Sequence, residues 1–167
     1  MDASQVIFII SAALIVASAV MVVSTRNLIH AALWLIAALF GVAMLYALLD
    51  AGFLAVVQVV VYIGAIAIMF IFAVMLTRKE LRDQGAQSNS AWPFAALLAL
   101  AVFGGLFVTL SKWDGMNKLP AAISGDTLLL LGKALTAPDL FVLPFEVASI
   151  LLLAALIGSV YVAMNKK

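Results

Sequence analysis

A stretch of 25 residues without a charged side chain, Gly52–Leu76, places the strongest limit on how this chain folds. About 20 apolar residues are enough to cross the hydrocarbon core of a bilayer as a helix. Three residues that suit lipid poorly, Gln58, Tyr62 and Gly64, lie inside the stretch. Gln58 and Tyr62 are four positions apart, so they share one face of a regular α-helix. The pattern predicts a membrane-spanning helix that does more than anchor the chain.

The composition extends this prediction to the whole chain. Hydrophobic residues make up 67% of it, whereas soluble domains have about 45–50%. An unpaired backbone group in hydrocarbon costs several kcal/mol, so spanning segments must be helices or closed barrels. The apolar runs are continuous rather than alternating, which is not the pattern of a barrel strand. We therefore predict an all-α, polytopic membrane protein that forms a single membrane domain over residues 1–167.

The hydrophobic runs predict five membrane-spanning helices. They lie at about Ser4–Val23, Leu28–Leu49, Gly52–Leu76, Trp92–Leu110 and Leu140–Met164. The first two connections are very short, so the first three helices are expected to run as antiparallel neighbours.

Two polar segments separate the later spans. The mixed charges of Thr77–Ala91 are typical of a solvated loop. Ser124–Thr136 is too short to cross a bilayer, and we expect it to lie as a helix at the membrane interface, capped by Asp126 or Thr127.

Basic residues predict the orientation, because cytoplasmic loops of membrane proteins are enriched in Lys and Arg. One side carries Arg26, Arg78, Lys79, Arg82, Lys166 and Lys167. The other carries Lys112, Lys118 and Lys133. The N-terminus is therefore expected outside and the C-terminus in the cytoplasm. Asp2 and the lack of a basic N-terminal region favour a retained first span over a cleaved signal peptide.

Composition also excludes several function classes. The chain has no cysteine and one histidine, so we expect no metal and no redox cofactor in it. Its net charge is +1 and its basic residues are scattered, which argues against nucleic-acid binding. It lacks the glycine-rich nucleotide motifs, the zinc-hydrolase motif and a Ser-His-Asp pattern. We expect no catalytic residue.

Glu146 is the only carboxylate well inside a predicted span. An acidic residue at a helix centre costs about 2.5–3.5 kcal/mol on insertion scales, so such residues usually have a partner or line water. Glu146 and Gln58 each lie six residues from the same predicted end of their spans, and we expect similar depths. Two interpretations stay open for Glu146: a proton or water path, and a hydrogen bond to another subunit that serves packing.

Tyr62 and Gly64 also allow two interpretations. A tyrosine hydroxyl at mid-bilayer needs a partner. Gly64 permits either close helix approach or an irregular backbone such as a π-bulge. From the residues alone, tight packing is the simpler interpretation.

Three segments together resemble one family. Gln58–Leu76, Arg26–Leu33 and Leu143–Leu153 are similar to the third, second and last helices of the J subunit of bacterial NADH:quinone oxidoreductase (complex I), the NADH dehydrogenase chain 6 family. Residues 78–138 add little to the resemblance.

The resemblance implies a membrane-arm subunit that helps to couple quinone reduction to proton translocation. In this family the third helix can hold a π-bulge near the Tyr–Gly pair, here Tyr62 and Gly64. Gln58 and Glu146 would line or border a water path. Some members carry glutamate where this chain has Gln58, and an amide cannot lose a proton at ordinary pH.

The resemblance also implies the surroundings. NADH, FMN, iron–sulfur clusters and quinone would belong to partner subunits. The partners would be the quinone-site subunit, the K-type subunit and the antiporter-like subunits, in a bacterial plasma membrane. Alternatives are a small subunit of a multisubunit cation/proton antiporter, the equivalent subunit of a ferredoxin-linked complex, and a purely structural helix packer.

Overall fold

The computed structural model describes residues 2–77, 90–113, 115 and 126–165. These residues are helical and include no β-strand. In chain order the elements are α1 (Ala3–Ser24), α2 (Leu28–Leu48), α3 (Gly52–Val57), a π-helical segment (Gln58–Ala67), α4 (Ile68–Leu76), α5 (Trp92–Ser111), α6 (Thr127–Thr136) and α7 (Val142–Met164).

Five helices are long and apolar enough to cross a membrane, which confirms the predicted number of spans. The third of them is continuous over Gly52–Leu76 and consists of α3, the π segment and α4. We call it the third span. The others are α1, α2, α5 and α7.

The last span begins at Val142, two residues after the predicted start, because the Phe141 backbone is not helical (φ −114°, ψ 16°) and forms the N-cap. Pro144 is then the third residue of α7, a position whose N–H has no acceptor within the helix, so proline is tolerated there. A helix is also present where the short helix was predicted. This helix, α6, begins at Thr127, and the Asp126 side chain caps it by accepting hydrogen bonds from two backbone amides.

Several predictions lie outside the described residues. They concern Ser124, the charged part of the loop at 78–89 and the C-terminal lysines.

The chain divides into two units, Met1–Thr109 and Leu110–Lys167. The first contains α1, α2, the third span and most of α5, and the second contains α6 and α7. The expectation of a single membrane domain stays a prediction, as does the orientation of the termini.

The tightest contact in the first unit joins α1 to α2. Ser11 and Ser18 of α1 are fully buried, and a Cβ atom placed at Gly41 of α2 would lie 2.5 Å from Cγ1 of Ile15. Small residues let helix backbones approach closely in a membrane, where dispersion forces rather than the hydrophobic effect hold helices together. The α1–α2 pair is therefore the most closely packed contact between helices in this unit.

A two-residue corner joins α2 to the third span. Asp50 adopts φ 55°, the left-handed region. The Ala51 amide donates to the Tyr46 carbonyl at 2.9 Å and the Asp50 amide to the Ala47 carbonyl at 3.3 Å. This is the Schellman arrangement, with aspartate in the position that glycine usually occupies.

Gly41→Val should destabilise the chain. The added side chain collides with Ile15, and overpacking of this kind costs about 1–3 kcal/mol. The control is Gly105→Val in α5, where a Cβ meets nothing within 4 Å. Unfolding of both purified variants in detergent measures the difference; equal unfolding free energies would contradict the close approach at Gly41.

Asp50→Val should also destabilise the chain, and Asp50→Gly should not. A β-branched residue is strained at a left-handed φ by about 1–2 kcal/mol, whereas glycine adopts it freely. The same unfolding measurement tests the pair. A valine variant as stable as the glycine variant would show that the corner does not need this conformation.

Candidate functional site

The π segment, Gln58–Ala67, is the most unusual backbone feature of the described residues. It is ten residues long, and hydrogen bonds in such a helix run from i to i+5. Most π-helices are single-turn bulges within α-helices, and they occur often at functional sites. The third span therefore keeps its backbone hydrogen-bonded while departing from α geometry in the middle of an uncharged helix.

Gly64 lies inside this segment, in the irregular backbone that was one of its two interpretations. Among the described residues outside its own helical turn, a Cβ at Gly64 would meet one atom within 4 Å, the Val59 carbonyl oxygen at 3.4 Å. Val59 is five residues earlier, one π turn away on the same helix. Within the described residues the close approach of two helices occurs at Gly41 instead, and close packing of another subunit at Gly64 stays a prediction.

Gln58 begins the π segment and is buried, with 7% of its surface exposed. Its side-chain amide makes no hydrogen bond to a described residue. Ser18 has the one buried side-chain polar atom of the described residues without a hydrogen-bond partner, so the amide atoms of Gln58 reach the surface although most of the residue is covered. The amide therefore has a capacity to bind water or a partner group that the described residues leave unused.

Tyr62 lies one turn further on and is 47% exposed. It lines an open, apolar groove of about 270 Å³ between α2 and the third span. The other lining residues are Leu35, Leu39, Ile66, Ala67 and Phe70. The phenol hydroxyl makes no hydrogen bond within the described residues, so the partner predicted for it must come from elsewhere.

Glu146 belongs to the second unit, where it is exposed near the start of α7. No described residue hydrogen-bonds to it or forms an ion pair with it. The expected similar depth of Glu146 and Gln58 stays a prediction.

The described residues contain no group of three or more His, Cys, Asp or Glu side chains that could hold a metal ion. His30 is exposed, and the neighbouring Asn27 caps α2 by accepting a hydrogen bond from the Ile29 amide.

Sequence reasoning missed the burial of Ser18. Among the described residues, its hydroxyl oxygen is the one buried side-chain nitrogen or oxygen atom without a hydrogen-bond partner. Ser11, seven residues earlier on the same face, donates to the Ile7 carbonyl at 2.8 Å. The spacing of seven marks one helix face, and with Gly41 it could have indicated the contact surface of α1 and α2.

The chain matches the family described as NADH-ubiquinone/plastoquinone oxidoreductase chain 6 over residues 18–162. The chain belongs to this family. The match begins in the last part of the first span, extends through the second to the fifth spans as far as residue 162, and includes Gln58, Tyr62, Gly64 and Glu146.

Relatives in the family are named for different electron donors. One is the F420H2 dehydrogenase subunit J of Methanosarcina mazei, which is 42% identical over 84% of this chain and 80% of its own length. Another is the NAD(P)H-quinone oxidoreductase chain 6 of Leptolyngbya boryana, which is 37% identical over 95% of this chain and 79% of its own. The NADH-quinone oxidoreductase subunit J of Rhodobacter capsulatus is 30% identical over 86% and 73%.

Gln58→Leu should lower the free energy of unfolding of the purified chain in detergent by no more than about 0.5 kcal/mol, because the amide that it removes makes no hydrogen bond to a described residue and leucine keeps a similar volume. Val61→Leu, at an exposed position of the π segment, should change it by less than about 0.5 kcal/mol. A clear loss of stability in Gln58→Leu would mean that the amide is already well hydrogen-bonded.

Proposed function

We propose that this chain is a membrane-arm subunit of a proton-translocating quinone oxidoreductase. Its family and the names of its relatives, which are chains or subunits of dehydrogenases and oxidoreductases, support this assignment. Its five apolar helices suit a subunit that lies within the membrane. The specific role proposed is to couple quinone reduction to proton movement by a conformational change in the third span.

The observation that carries the coupling role is the π segment. A π-bulge places one extra residue in a helical turn. Its return to α geometry would shift the following part of the helix by about one residue, which is 1.5 Å of rise and about 100° of rotation. Tyr62 and Gly64 lie within the segment, so this change would move the Tyr62 hydroxyl to new surroundings. Such a two-state element can respond to chemistry at one site and act at another.

Gly64 suits such a change in two ways. Without a Cβ it allows both backbone conformations. The π segment also makes no close contact at Gly64 that would block rotation within the first unit.

Gln58 and Glu146 are the polar groups proposed to line or border a water path beside this element. The Gln58 amide, which makes no hydrogen bond to a described residue and reaches the surface, can hold water as donor and acceptor, although it cannot lose a proton at ordinary pH. Glu146 is the group that could carry a proton. This division makes Gln58 a residue that positions water and Glu146 the titratable member of the path.

The chain is proposed to have no catalytic centre and no cofactor. NADH, FMN, iron–sulfur clusters and quinone would be bound by partner subunits, and this chain would pack among the quinone-site, K-type and antiporter-like subunits. The electron donor of the complex stays open, because relatives at 30–42% identity are named for F420H2, NAD(P)H and NADH. The antiporter alternative gains no support from these names.

Tyr62→Phe and Gly64→Val, each in the intact complex reconstituted in liposomes, test the coupling role. Tyr62→Phe removes one hydroxyl and keeps the ring. Gly64→Val changes the balance between backbone conformations by about 1 kcal/mol, which is about fivefold in population. Both should lower the number of protons moved per electron, measured with a pH-sensitive dye against quinone reduction.

Val61→Leu, an exposed neighbour in the same segment, is the matched control and should keep the native ratio. An unchanged ratio in both test variants, with the complex intact, would leave the chain as a structural helix packer. If Val61→Leu also moved fewer protons per electron, the effect would not be specific to Tyr62 and Gly64, and this result would contradict their proposed role.

A further inference from the structure

We propose that α6 is an amphipathic anchor that lies in the lipid headgroup region and sets the depth at which α7 enters the membrane. In this proposal, lipid acyl chains cover the exposed leucine face of α6. This inference concerns the second unit alone and does not depend on the coupling role of the third span.

The connection between α6 and α7 fixes where α6 can be. The Phe141 amide, at the N-cap of α7, donates to the Ala134 carbonyl in the last turn of α6 at 3.1 Å. The turn closes with two further hydrogen bonds, from the Ala137 amide to the Lys133 carbonyl and from the Leu140 amide to the Ala137 carbonyl. The end of α6 and the start of α7 are therefore held at the same level.

That level is the boundary of the hydrocarbon core. α7 has 23 residues and rises about 35 Å, which is slightly more than the ~30 Å core of a bilayer. Its first turn must then lie close to the headgroups. Because the last turn of α6 is hydrogen-bonded to the N-cap of α7, α6 ends at the depth of the lipid headgroups.

The side chains of α6 suit that position. Leu128, Leu131 and Leu135 follow one another at spacings of three and four and share a face, whereas Lys133 and Thr136 lie on the other side. Leu129 falls on the Lys133 side, next to the aliphatic stem of that lysine. The helix thus has an apolar face for acyl chains and a basic group that can reach the headgroups.

Within the second unit, the first part of the apolar face is open. Leu128 and Leu131 are 51% and 43% exposed, whereas Leu135, next to the corner, is half-buried. Leu130, like Leu129, falls outside this face. In water Leu128 and Leu131 would be costly to expose, and in the interface their burial anchors the helix.

The anchor has a consequence for Glu146, which lies four residues after Val142 and so about 6 Å along α7. With the corner held at the interface, the carboxylate lies one helical turn below the headgroups. The anchor would keep the Glu146 carboxylate at that depth when neighbouring helices or water around α7 rearrange.

A photoreactive lipid tests the occupant directly. The intact complex is reconstituted in nanodiscs of phosphatidylcholine that contain a diazirine-bearing acyl chain, and lipid adducts are mapped by mass spectrometry. Adducts on Leu128 and Leu131 support the anchor. Adducts on α7 without any on Leu128 or Leu131, the result expected if a neighbouring subunit covers this face, overturn it.

A pair of single-cysteine variants tests the orientation, since this chain has no cysteine of its own. Leu131→Cys and Lys133→Cys are two residues apart and lie on opposite faces of α6. In nanodiscs a polar maleimide that adds mass to this chain should react with Lys133→Cys at least about tenfold faster, because an interfacial helix buries its apolar face below the headgroups. Equal fast rates would place α6 in water, and equal slow rates would place it inside protein; either result overturns the proposal.

Discussion

The need to satisfy every backbone hydrogen bond inside hydrocarbon governs this structure. No water is available there to pair with a broken turn, so the described spans stay helical from end to end. The third span shows how much variation this condition allows. It changes the spacing of its hydrogen bonds over Gln58–Ala67 without leaving the helix. A π segment is one of the few ways to build an adjustable element at that depth, because a loop or an unwound turn would leave polar groups exposed to lipid.

Polar side chains inside the spans also need hydrogen-bond partners. Serine hydroxyls in membrane helices can return a hydrogen bond to a carbonyl of their own helix, as Ser11 does. Glutamine and glutamate have more polar atoms to satisfy, and neither Gln58 nor Glu146 finds a partner among the described residues. Their unused hydrogen-bonding capacity suits a chain that is completed by water and by other subunits. The extensive exposure of apolar side chains on α5 and α7 agrees with this, because neither helix contains a buried residue.

Much of the fold could be predicted from the sequence, because long uncharged runs leave few alternatives to membrane helices. The Asp126 cap was also predictable, since an aspartate ahead of a leucine run is a strong local signal. Helix ends were harder to predict: Leu140 belongs to an apolar run, yet the non-helical backbone of Phe141 keeps it out of α7. Of the site, sequence identified Gln58, Tyr62 and Gly64 as unusual. It could not decide what Gly64 does, because close packing and an irregular backbone both require the same missing side chain.

The corner at Asp50 has a mechanical consequence. The Schellman hydrogen bonds hold both of its residues at the end of α2, and α2 packs closely against α1 at Gly41. The Gly52 end of the third span is therefore attached to the packed helix pair, whereas the other end runs on to Thr77. Under the change proposed for the π segment, rotation would then be larger at the Thr77 end than at the Gly52 end.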